Sequence, residues 1–319
     1  MTSLHSLTIV APVYNEEAVI GQFHARTMAV ADALQGVDTQ IVYVVDRGTD
    51  RTLDVLRSIA LEDSRVTVLA LSARFGHQMS LLAGIENSLD SDAIVMMDSD
   101  LQHPPELIPI LLERFAEGVD VVYTVRAETR GISWTRAKAG ELFYKLMNAL
   151  SSVPIRKNAA DFRLISKRVA NILAGDFSER NMFLRGIFSW IGFKQVGVEY
   201  VADERAAGHS KYSLSRTLRF ALTGILSFST KPLQLGIIVG AWTGGAGFLL
   251  MFAAVVSYFI DRSIPSGWTT VVVLLLFFSA IQLFVIGIIG MYIGDLYLEM
   301  KGRPRYILDE KINHGKDKS

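Results

Sequence analysis

Two carboxylates separated by one residue are the strongest chemical signal in this sequence of 319 residues. Asp98 and Asp100 follow the apolar run 93–97, which is typical of a buried β-strand. Such a pair can hold a hard divalent cation, because Mg²⁺ takes one or two protein carboxylates and fills its other positions with water and substrate phosphates. The same pattern occurs in solvated turns. Its place directly after a buried strand, with Leu101-Gln102-His103-Pro104-Pro105 next, favours the metal site.

Polar residues also follow two earlier apolar runs. Tyr14 and Glu16 come after the run 7–13, and Asp46 comes after the run 41–45. Ligands of an open α/β sheet bind at the carboxyl ends of the strands, so we expect these side chains to lie beside the carboxylate pair. No Gly-x-Gly-x-x-Gly or Walker motif follows the first run. A dinucleotide dehydrogenase and a P-loop ATPase are therefore disfavoured.

Longer motifs resemble the family 2 glycosyltransferases of the GT-A fold. They are Val10-Ala11-Pro12-Val13-Tyr14-Asn15-Glu16-Glu17, Asp46, and Asp98-Ser99-Asp100-Leu101-Gln102-His103-Pro104-Pro105. The stretches 161–164, 179–186 and 208–213 are similar to the polyprenyl-phosphate branch, which includes dolichol-phosphate mannose synthases and bactoprenol glucosyltransferases. Two apolar segments followed by Arg303-Pro304-Arg305-Tyr306 match the bactoprenol type. The resemblance covers nearly the whole chain.

The resemblance implies an inverting, metal-dependent transfer from a UDP- or GDP-sugar to a lipid phosphate. It implies that Asp100 and Asp161 take part in catalysis and that Asp98 and Asp100 hold Mg²⁺ or Mn²⁺. The residues expected to bind the nucleotide-sugar are Pro12, Tyr14, Glu16, Asp46, Asp98 and Gln102. The residues expected to bind acceptor or phosphate groups are Arg126, Arg205 and Lys211. Arg126 is included because a forked guanidinium can clamp a diphosphate, although a solvated charged loop fits equally well.

The roles of Asp161 and His77 each have two interpretations. A lone aspartate such as Asp161 often caps a helix, but its motif favours a role at the acceptor. Because a phosphate acceptor is already anionic, we expect Asp161 to orient the acceptor or complete the metal site rather than act as a strong base. His77 is either catalytic or a structural histidine that caps or hydrogen-bonds a loop.

The sequence departs from the family pattern at two places. The usual Asp-Asp-Gly-Ser is Asp46-Arg47-Gly48-Thr49 here, and Arg47 cannot accept hydrogen bonds. The usual Arg-Asn before Phe-Gly-His-Gln is Ala73-Arg74. Both departures put the contacts to the nucleotide base in question.

Predicted strands and helices, which must position these residues, alternate along the chain. Predicted strands are 7–13, 41–45, 66–70 and 93–97, and predicted helices are 18–34, 52–60 and 78–89. Alternation of this kind indicates an α/β domain with a mostly parallel sheet covered by helices on both faces. This Rossmann-like arrangement is the one that the GT-A resemblance implies.

Two long segments lack charge. Residues 232–260 and 263–294 contain no charged side chain, and about 20 apolar residues suffice to span a bilayer. A buried hairpin of core helices is the alternative. Basic residues flank the pair on both sides, namely Lys211, Arg216, Arg219, Lys231, Lys301, Arg303 and Arg305, whereas the connecting turn carries only Arg262. The positive-inside rule therefore predicts a multi-pass protein of the inner (plasma) membrane with a cytoplasmic catalytic domain.

These features predict four regions. They are a GT-A domain (1–212), a juxtamembrane amphipathic helix (213–231), a transmembrane hairpin (232–294) and a cytoplasmic tail (295–319). The amphipathic helix suits a position on lipid headgroups, although an ordinary core helix would show the same spacing. The tail is charged from Asp309 onward, and we expect it to fray.

Composition excludes several classes of function. Lys+Arg and Asp+Glu are equal at 32 each, so no bulk charge attracts nucleic acid. The absence of cysteine excludes disulfides and thiolate metal sites, and it fits a reducing compartment.

The sequence leaves three functional hypotheses. The first is transfer of one sugar, with glucose from UDP-glucose as the first expectation, to undecaprenyl phosphate. The second is a processive polysaccharide synthase, which is disfavoured by only two spans and by the lack of a Gln-x-x-Arg-Trp motif. The third is a non-catalytic membrane scaffold, which would not need the three aspartates. The family resemblance also implies a possible homotetramer, which the glycines at 240, 244, 245 and 247 would permit.

Overall fold

The computed structural model describes residues 4–126, 159–179, 182–201, 229–260 and 267–314. Within these ranges, eight strands form one mixed sheet in the order β7-β5-β6-β4-β1-β2-β3-β8. The strands are β1 Ser6–Val13, β2 Asp38–Val45, β3 Val66–Leu71, β4 Ala93–Met96, β5 Val121–Arg126, β6 Ala159–Ser166, β7 Gln195–Tyr200 and β8 Leu308–Asn313. The helices are α1 Ile20–Ala33, α2 Thr52–Glu62, α3 His77–Glu86, α4 Ile108–Ala116, α5 Lys167–Gly175, α6 Leu184–Trp190, α7 Lys231–Ile260 and α8 Trp268–Met300.

Helices cover both faces of the sheet, which confirms the predicted α/β architecture. One hydrophobic cluster packs Phe23 of α1 and Leu56 of α2 against the sheet, and the other packs Leu82 of α3 against the opposite face. The central strands are therefore buried on both sides, which explains their continuous apolar runs. Gly84 allows α3 to approach β1 closely, because a Cβ at this position would lie 2.2 Å from Cγ1 of Val10.

The sheet is mostly parallel but not entirely so. β1 pairs in parallel with β2 and β4, β2 with β3, and β5 with β7. β6 runs antiparallel to both of its neighbours, β4 and β5. The strands 7–13, 41–45, 66–70 and 93–97 predicted from sequence are confirmed to within a few residues. β6 therefore begins at the edge of the sheet where β1, β2 and β4 end.

The C-terminal segment belongs to the sheet. Leu308–Asn313 pairs antiparallel with β3, and Ile312 is buried in the core. The expectation that the chain frays from Asp309 onward is wrong for these residues. A charged strand is stable here because it lies at the edge of the sheet, where only one face requires apolar side chains.

Two long helices follow the catalytic domain in the chain. α7 has 30 residues and α8 has 33, and each contains a stretch long and apolar enough to cross a membrane, Lys231–Leu250 and Val273–Met300. Only 6% of either stretch is buried in the protein. The two helices contact each other, and the hydroxyl of Tyr292 donates to the carbonyl oxygen of Ser229 just before α7. The predicted juxtamembrane helix (213–231) lies almost wholly outside the described residues.

Candidate active site

The register of the sheet brings two of the predicted aspartates together. In the antiparallel pair of β4 and β6, Met96 lies opposite Arg163. Continuing that register by two residues in each strand sets Asp98 opposite Asp161. Because β6 begins at the edge where β4 ends, Asp161 joins the carboxylate pair although it lies 63 positions after Asp98 in the chain.

The loop after β4 has a constrained backbone. Leu101 adopts φ +64° although it is not glycine, and its side chain is buried. Asp100 Oδ1 accepts a hydrogen bond from the backbone N–H of Gln102, and the Ser99 hydroxyl donates to the carbonyl oxygen of Pro12. A strained residue held by such contacts is frequent where a site must be preorganised. Pro12 is itself buried, and its carbonyl oxygen supports the loop by accepting the hydrogen bond from Ser99.

His103 holds the same loop through a hydrogen bond and through stacking of its ring. Its Nδ1 accepts a hydrogen bond of 3.0 Å from the backbone N–H of Asp98, and its ring stacks on Phe162 at 5.4 Å between centroids. Tyr200 packs edge-on against both rings. This buried aromatic group fixes the orientation of the backbone that carries the carboxylate pair.

The carboxylate of Asp98 has an unsatisfied oxygen that fits a cation site. Oδ1 is buried and accepts no hydrogen bond from the described residues, although His77 Nε2 lies 3.5 Å away. An unsatisfied buried carboxylate oxygen is costly, and a bound divalent ion would satisfy it. No group of three or more His, Asp or Glu side chains within the described ranges is arranged to hold a metal. Two carboxylates fit Mg²⁺ or Mn²⁺ when substrate phosphates supply further oxygens.

Asp161 forms the centre of a charged cluster. Its two oxygens accept hydrogen bonds from Arg185 of α6, at 2.7 Å from Nε and 2.8 Å from Nη2. His77, the first residue of α3, places Nε2 3.3 Å from Oδ2 of Asp161. His77 therefore lies between the carboxylates of Asp98 and Asp161.

Contacts within this cluster shift the pKa values of Asp161 and His77. Burial acts to raise the pKa of Asp161, but the charge of Arg185 and the hydrogen bonds from His77 and Arg185 outweigh it and hold that pKa well below its ordinary value. Desolvation in the cleft acts to lower the pKa of His77, but the hydrogen bond to Asp161 and the nearby carboxylates raise it above its ordinary value. Asp161 is thus an ionised carboxylate and a weak base.

A second group of residues forms the side of the site expected to hold the nucleotide. The guanidinium of Arg74 lies 4.1 Å from the ring centroid of Tyr14, so the two residues form a cation–π pair. Glu16 lies in the same loop, and its backbone N–H donates to the hydroxyl of Thr52. A flat, partly exposed ring beside a cation is a suitable surface for a nucleotide base.

Asp46, which is expected to bind the nucleotide-sugar, accepts hydrogen bonds from the backbone in the structure. Its side chain is buried, and its two oxygens accept the backbone N–H groups of Phe75 and Gly76 at 2.7 and 2.9 Å. The carboxylate therefore holds the turn that begins α3 and places His77. Arg47, which replaces a family carboxylate, is exposed and donates to the carbonyl oxygen of Ser72.

The basic residues predicted for phosphate binding are only partly described. Arg126 is the last residue of β5. Because β4 and β5 both run antiparallel to β6, β5 ends at the same edge of the sheet as β4 and the carboxylates that follow it. The side chain of Arg126 is exposed. Arg205 and Lys211 lie outside the described residues.

Arg185 is a site residue that the sequence does not predict. Its motif, Glu179 to Gly186, is similar to the polyprenyl-phosphate branch, but that similarity predicts no role for Arg185 itself. The ring of His77 lies beside the site carboxylates, with Nε2 3.5 Å from Oδ1 of Asp98 and 3.3 Å from Oδ2 of Asp161, and a catalytic role for it stays a prediction. The signal that could have found Arg185 is a single charged residue within the otherwise uncharged stretch 182–188.

A family comparison decides the class of protein to which this site belongs. The model of the glycosyl transferase family 2 matches residues 8–173, which include β1 to β6 and the site carboxylates. The chain is a family 2 glycosyltransferase. The predicted enzyme class is confirmed.

Relatives of this glycosyltransferase match along nearly their whole length. YkcC of Bacillus subtilis (strain 168), named as an uncharacterized glycosyltransferase, is 40% identical over 303 residues, which are 95% of this chain and 93% of that protein. The bactoprenol glucosyl transferase of Shigella phage SfX is 35% identical over 96% of this chain and 99% of that protein. A prophage bactoprenol glucosyl transferase homolog of Escherichia coli (strain K12) is 36% identical over 95% of this chain and 98% of that protein. The similarity therefore includes α7 and α8.

Proposed function

We propose that this glycosyltransferase moves one hexose from a nucleotide-sugar to a polyprenyl phosphate on the cytoplasmic leaflet of the plasma membrane. Glucose, UDP-glucose and undecaprenyl phosphate are the first expectations for sugar, donor and acceptor. The observation that carries the proposal is the cluster of Asp98, His77, Asp161 and Arg185 at the ligand edge of the sheet. The full-length similarity to proteins named bactoprenol glucosyl transferase supports it.

The donor would lie along the edge from Tyr14 to Asp98. Tyr14 and Arg74 offer a stacking surface for the base, while Pro12, Glu16 and Gln102 belong to the loops that border it. Asp98 and Asp100 would hold Mg²⁺ or Mn²⁺. The ion, when bound, neutralises charge on the diphosphate leaving group.

The acceptor phosphate would approach from the side of Asp161. An oxygen of the lipid phosphate attacks the anomeric carbon, and the bond from that carbon to the nucleoside diphosphate breaks, with inversion. The phosphate needs no strong base because it is already anionic, which agrees with the depressed pKa of Asp161. Arg185 attracts the phosphate electrostatically, and Asp161 holds the guanidinium of Arg185 in one orientation. Arg126, Arg205 and Lys211 are proposed to add positive charge around the phosphate.

Membrane placement would bring the site to its acceptor. The apolar stretches of α7 and α8 expose most of their surface, and burial in a bilayer would remove that surface from water. Basic residues on the domain side of both helices favour the cytoplasmic side. A homotetramer remains a prediction, and a Cβ at Gly240, Gly244 or Gly245 would meet no atom within 4 Å.

A donor screen tests the proposed function. Purified protein in lipid nanodiscs containing undecaprenyl phosphate is incubated with radiolabelled UDP-glucose, UDP-galactose, GDP-mannose or UDP-N-acetylglucosamine. We expect one donor to label a lipid from which mild acid releases the sugar, and nuclear magnetic resonance should show an inverted anomeric centre. Asp100→Asn should abolish the label, whereas Asp90→Asn, which changes an exposed carboxylate in the turn before β4, should retain it. Labelled polymer would indicate a processive synthase, and no label with any donor would contradict the proposal.

A further inference from the structure

The chain leaves the last long helix through a short and sharply turned connection. α8 ends at Met300, and Gly302 follows with φ +56° and donates its N–H to the carbonyl oxygen of Glu299. A glycine in the left-handed region after a helix is a common terminating signal, and Pro304 prevents the helix from resuming. The direction in which the chain returns to the catalytic domain is therefore set within four residues.

Two side chains after this turn converge on one carboxylate. Arg305 Nη2 donates to Oε1 of Glu86, and the hydroxyl of Tyr306 donates to Oε2 of Glu86. Arg305 also donates to the carbonyl oxygen of Phe177. The side chains of Glu86 and Arg305 are only 18% and 20% exposed. Hydrogen bonds between charged groups that are partly shielded from water are among the stronger contacts in proteins.

The chain then continues into the sheet. Ile307 accepts a hydrogen bond from the backbone N–H of Ser72, and β8 pairs with β3 along its length. Glu310 of β8 pairs with Arg57 of α2, and Ile312 is buried in the core. The segment from Arg305 to Asn313 is thus fastened to the catalytic domain by side chains and by backbone.

The geometry limits how far the catalytic domain can move from the end of α8. Five residue steps separate Met300 from Arg305, and a fully extended chain of that length spans at most about 17 Å. Glu86 is the last residue of α3, and His77 is the first residue of the same helix. A helix of this length places the two about 14 Å apart. The fastening point therefore lies on the helix that carries a site residue.

We propose that Glu86, Arg305 and Tyr306 form a clasp that holds the active site at a fixed height above the bilayer. The three are positioning residues, because none of them contacts the carboxylate cluster. The inference rests on the proposed function, in which the acceptor phosphate lies at the membrane surface. With the clasp closed, the site stays within reach of that phosphate, and the effective concentration of the lipid acceptor at the site is high.

Kinetics with two acceptors test the clasp. Two variants are used. Glu86→Gln removes the charge that Arg305 and Tyr306 contact, and an insertion of eight Gly and Ser residues between Gly302 and Arg303 lengthens the connection between α8 and the clasp. Their controls are Glu62→Gln, which changes the exposed last residue of α2, and the same insertion after Gly36 in the exposed turn before β2. The acceptors are undecaprenyl phosphate in vesicles and a water-soluble ten-carbon prenyl phosphate.

The clasp predicts a selective effect. We expect the insertion to lower kcat/KM for the vesicle acceptor by about 10-fold or more, chiefly through KM. Glu86→Gln should lower it in the same direction but by less, because β8 still pairs with β3. The soluble acceptor and the KM of the donor should change by less than about 2-fold, and the controls should match the wild type. Equal losses with both acceptors together with a lower Tm would mean that the clasp only stabilises the fold. No change with either acceptor would also overturn the proposal.

A distance measurement tests the clasp independently of activity. The chain contains no cysteine, so Met300→Cys and Leu61→Cys give a unique pair of spin labels at two exposed positions. We expect a narrow distance distribution in the wild-type background and a broad one after the insertion at Gly302. If the wild type transfers no sugar, the proposed function fails, but the distance distribution still tests whether the clasp fixes the domain relative to α8. An unchanged distribution after the insertion would overturn it.

Discussion

Arg185 and Asp161 form a bidentate ion pair between α6 and β6, with Nε and Nη2 of the guanidinium 2.7 and 2.8 Å from the two carboxylate oxygens. Asp161 is the more enclosed partner, with 11% of its side chain exposed, against 38% for Arg185. Removing the guanidinium would leave a nearly buried carboxylate with His77 as its remaining cationic neighbour. The pair is therefore a structural contact, and under the proposed function it is also part of the charge that faces the acceptor.

Arg185→Ala should reduce both stability and turnover. We expect a loss of about 1–3 kcal/mol in the free energy of unfolding, because a charged hydrogen-bond partner disappears from a partly solvated pair. We also expect kcat to fall about 10²-fold, the scale seen when one electrostatic stabiliser is removed. Arg185→Lys should give intermediate values, since lysine keeps the charge but loses the fork. Arg114→Ala, which breaks the exposed pair with Glu117, is the control and should stay near wild type in both assays.

Acid should reveal the depressed pKa of Asp161. The folded protein holds this carboxylate ionised below its ordinary pKa of 3.8, so the unfolded chain binds more protons in that range. The stabilisation is present above about pH 4 and is lost as the pH falls through the lower folded value. The Tm of the wild type should therefore fall more steeply below about pH 4 than the Tm of Asp161→Asn. Parallel curves for the two proteins would show that Asp161 has an ordinary pKa.

Metal removal should stop the reaction if Asp98 and Asp100 hold a divalent ion. EDTA should abolish transfer, and Mg²⁺ or Mn²⁺ should restore it. Asp100→Asn should lower kcat by about 10²-fold or more while leaving folding and membrane insertion intact. Asp98→Asn should also weaken donor binding. Mn²⁺ titrations followed by electron paramagnetic resonance give a readout besides activity, with Asp90→Asn as the control. Full activity in excess EDTA would exclude the proposed metal site.

Reporter fusions should place the catalytic domain in the cytoplasm. The basic residues around α7 and α8 lie on the domain side, and the connecting turn carries a single arginine beside an aspartate. A reporter fused after Ser319 should read as cytoplasmic, and one inserted at Ser266 should read as external. The reverse pattern, or a cytoplasmic signal at both positions, would contradict the two-span topology.

Much of this protein could be predicted from sequence because the signals are local. The apolar runs of β1 to β4 and the polar residues that follow them are continuous in the chain, so strand ends and candidate ligands could be identified together. The lengths of the two uncharged segments predicted α7 and α8 in the same way. Family motifs then indicated which carboxylates carry the chemistry.

The tertiary structure alone decided which distant residues meet. The antiparallel pairing of β6 with β4 brings Asp161 to the end of β4 that Asp98 follows, where His77 lies near both, and α6 then supplies Arg185. No short-range pattern encodes such pairings, because strand register depends on which strands become neighbours. The charged C-terminal segment illustrates the same limit. Its composition predicts a frayed tail, yet it becomes β8 because the edge of β3 offers backbone partners and Glu86 accepts the side chains of Arg305 and Tyr306.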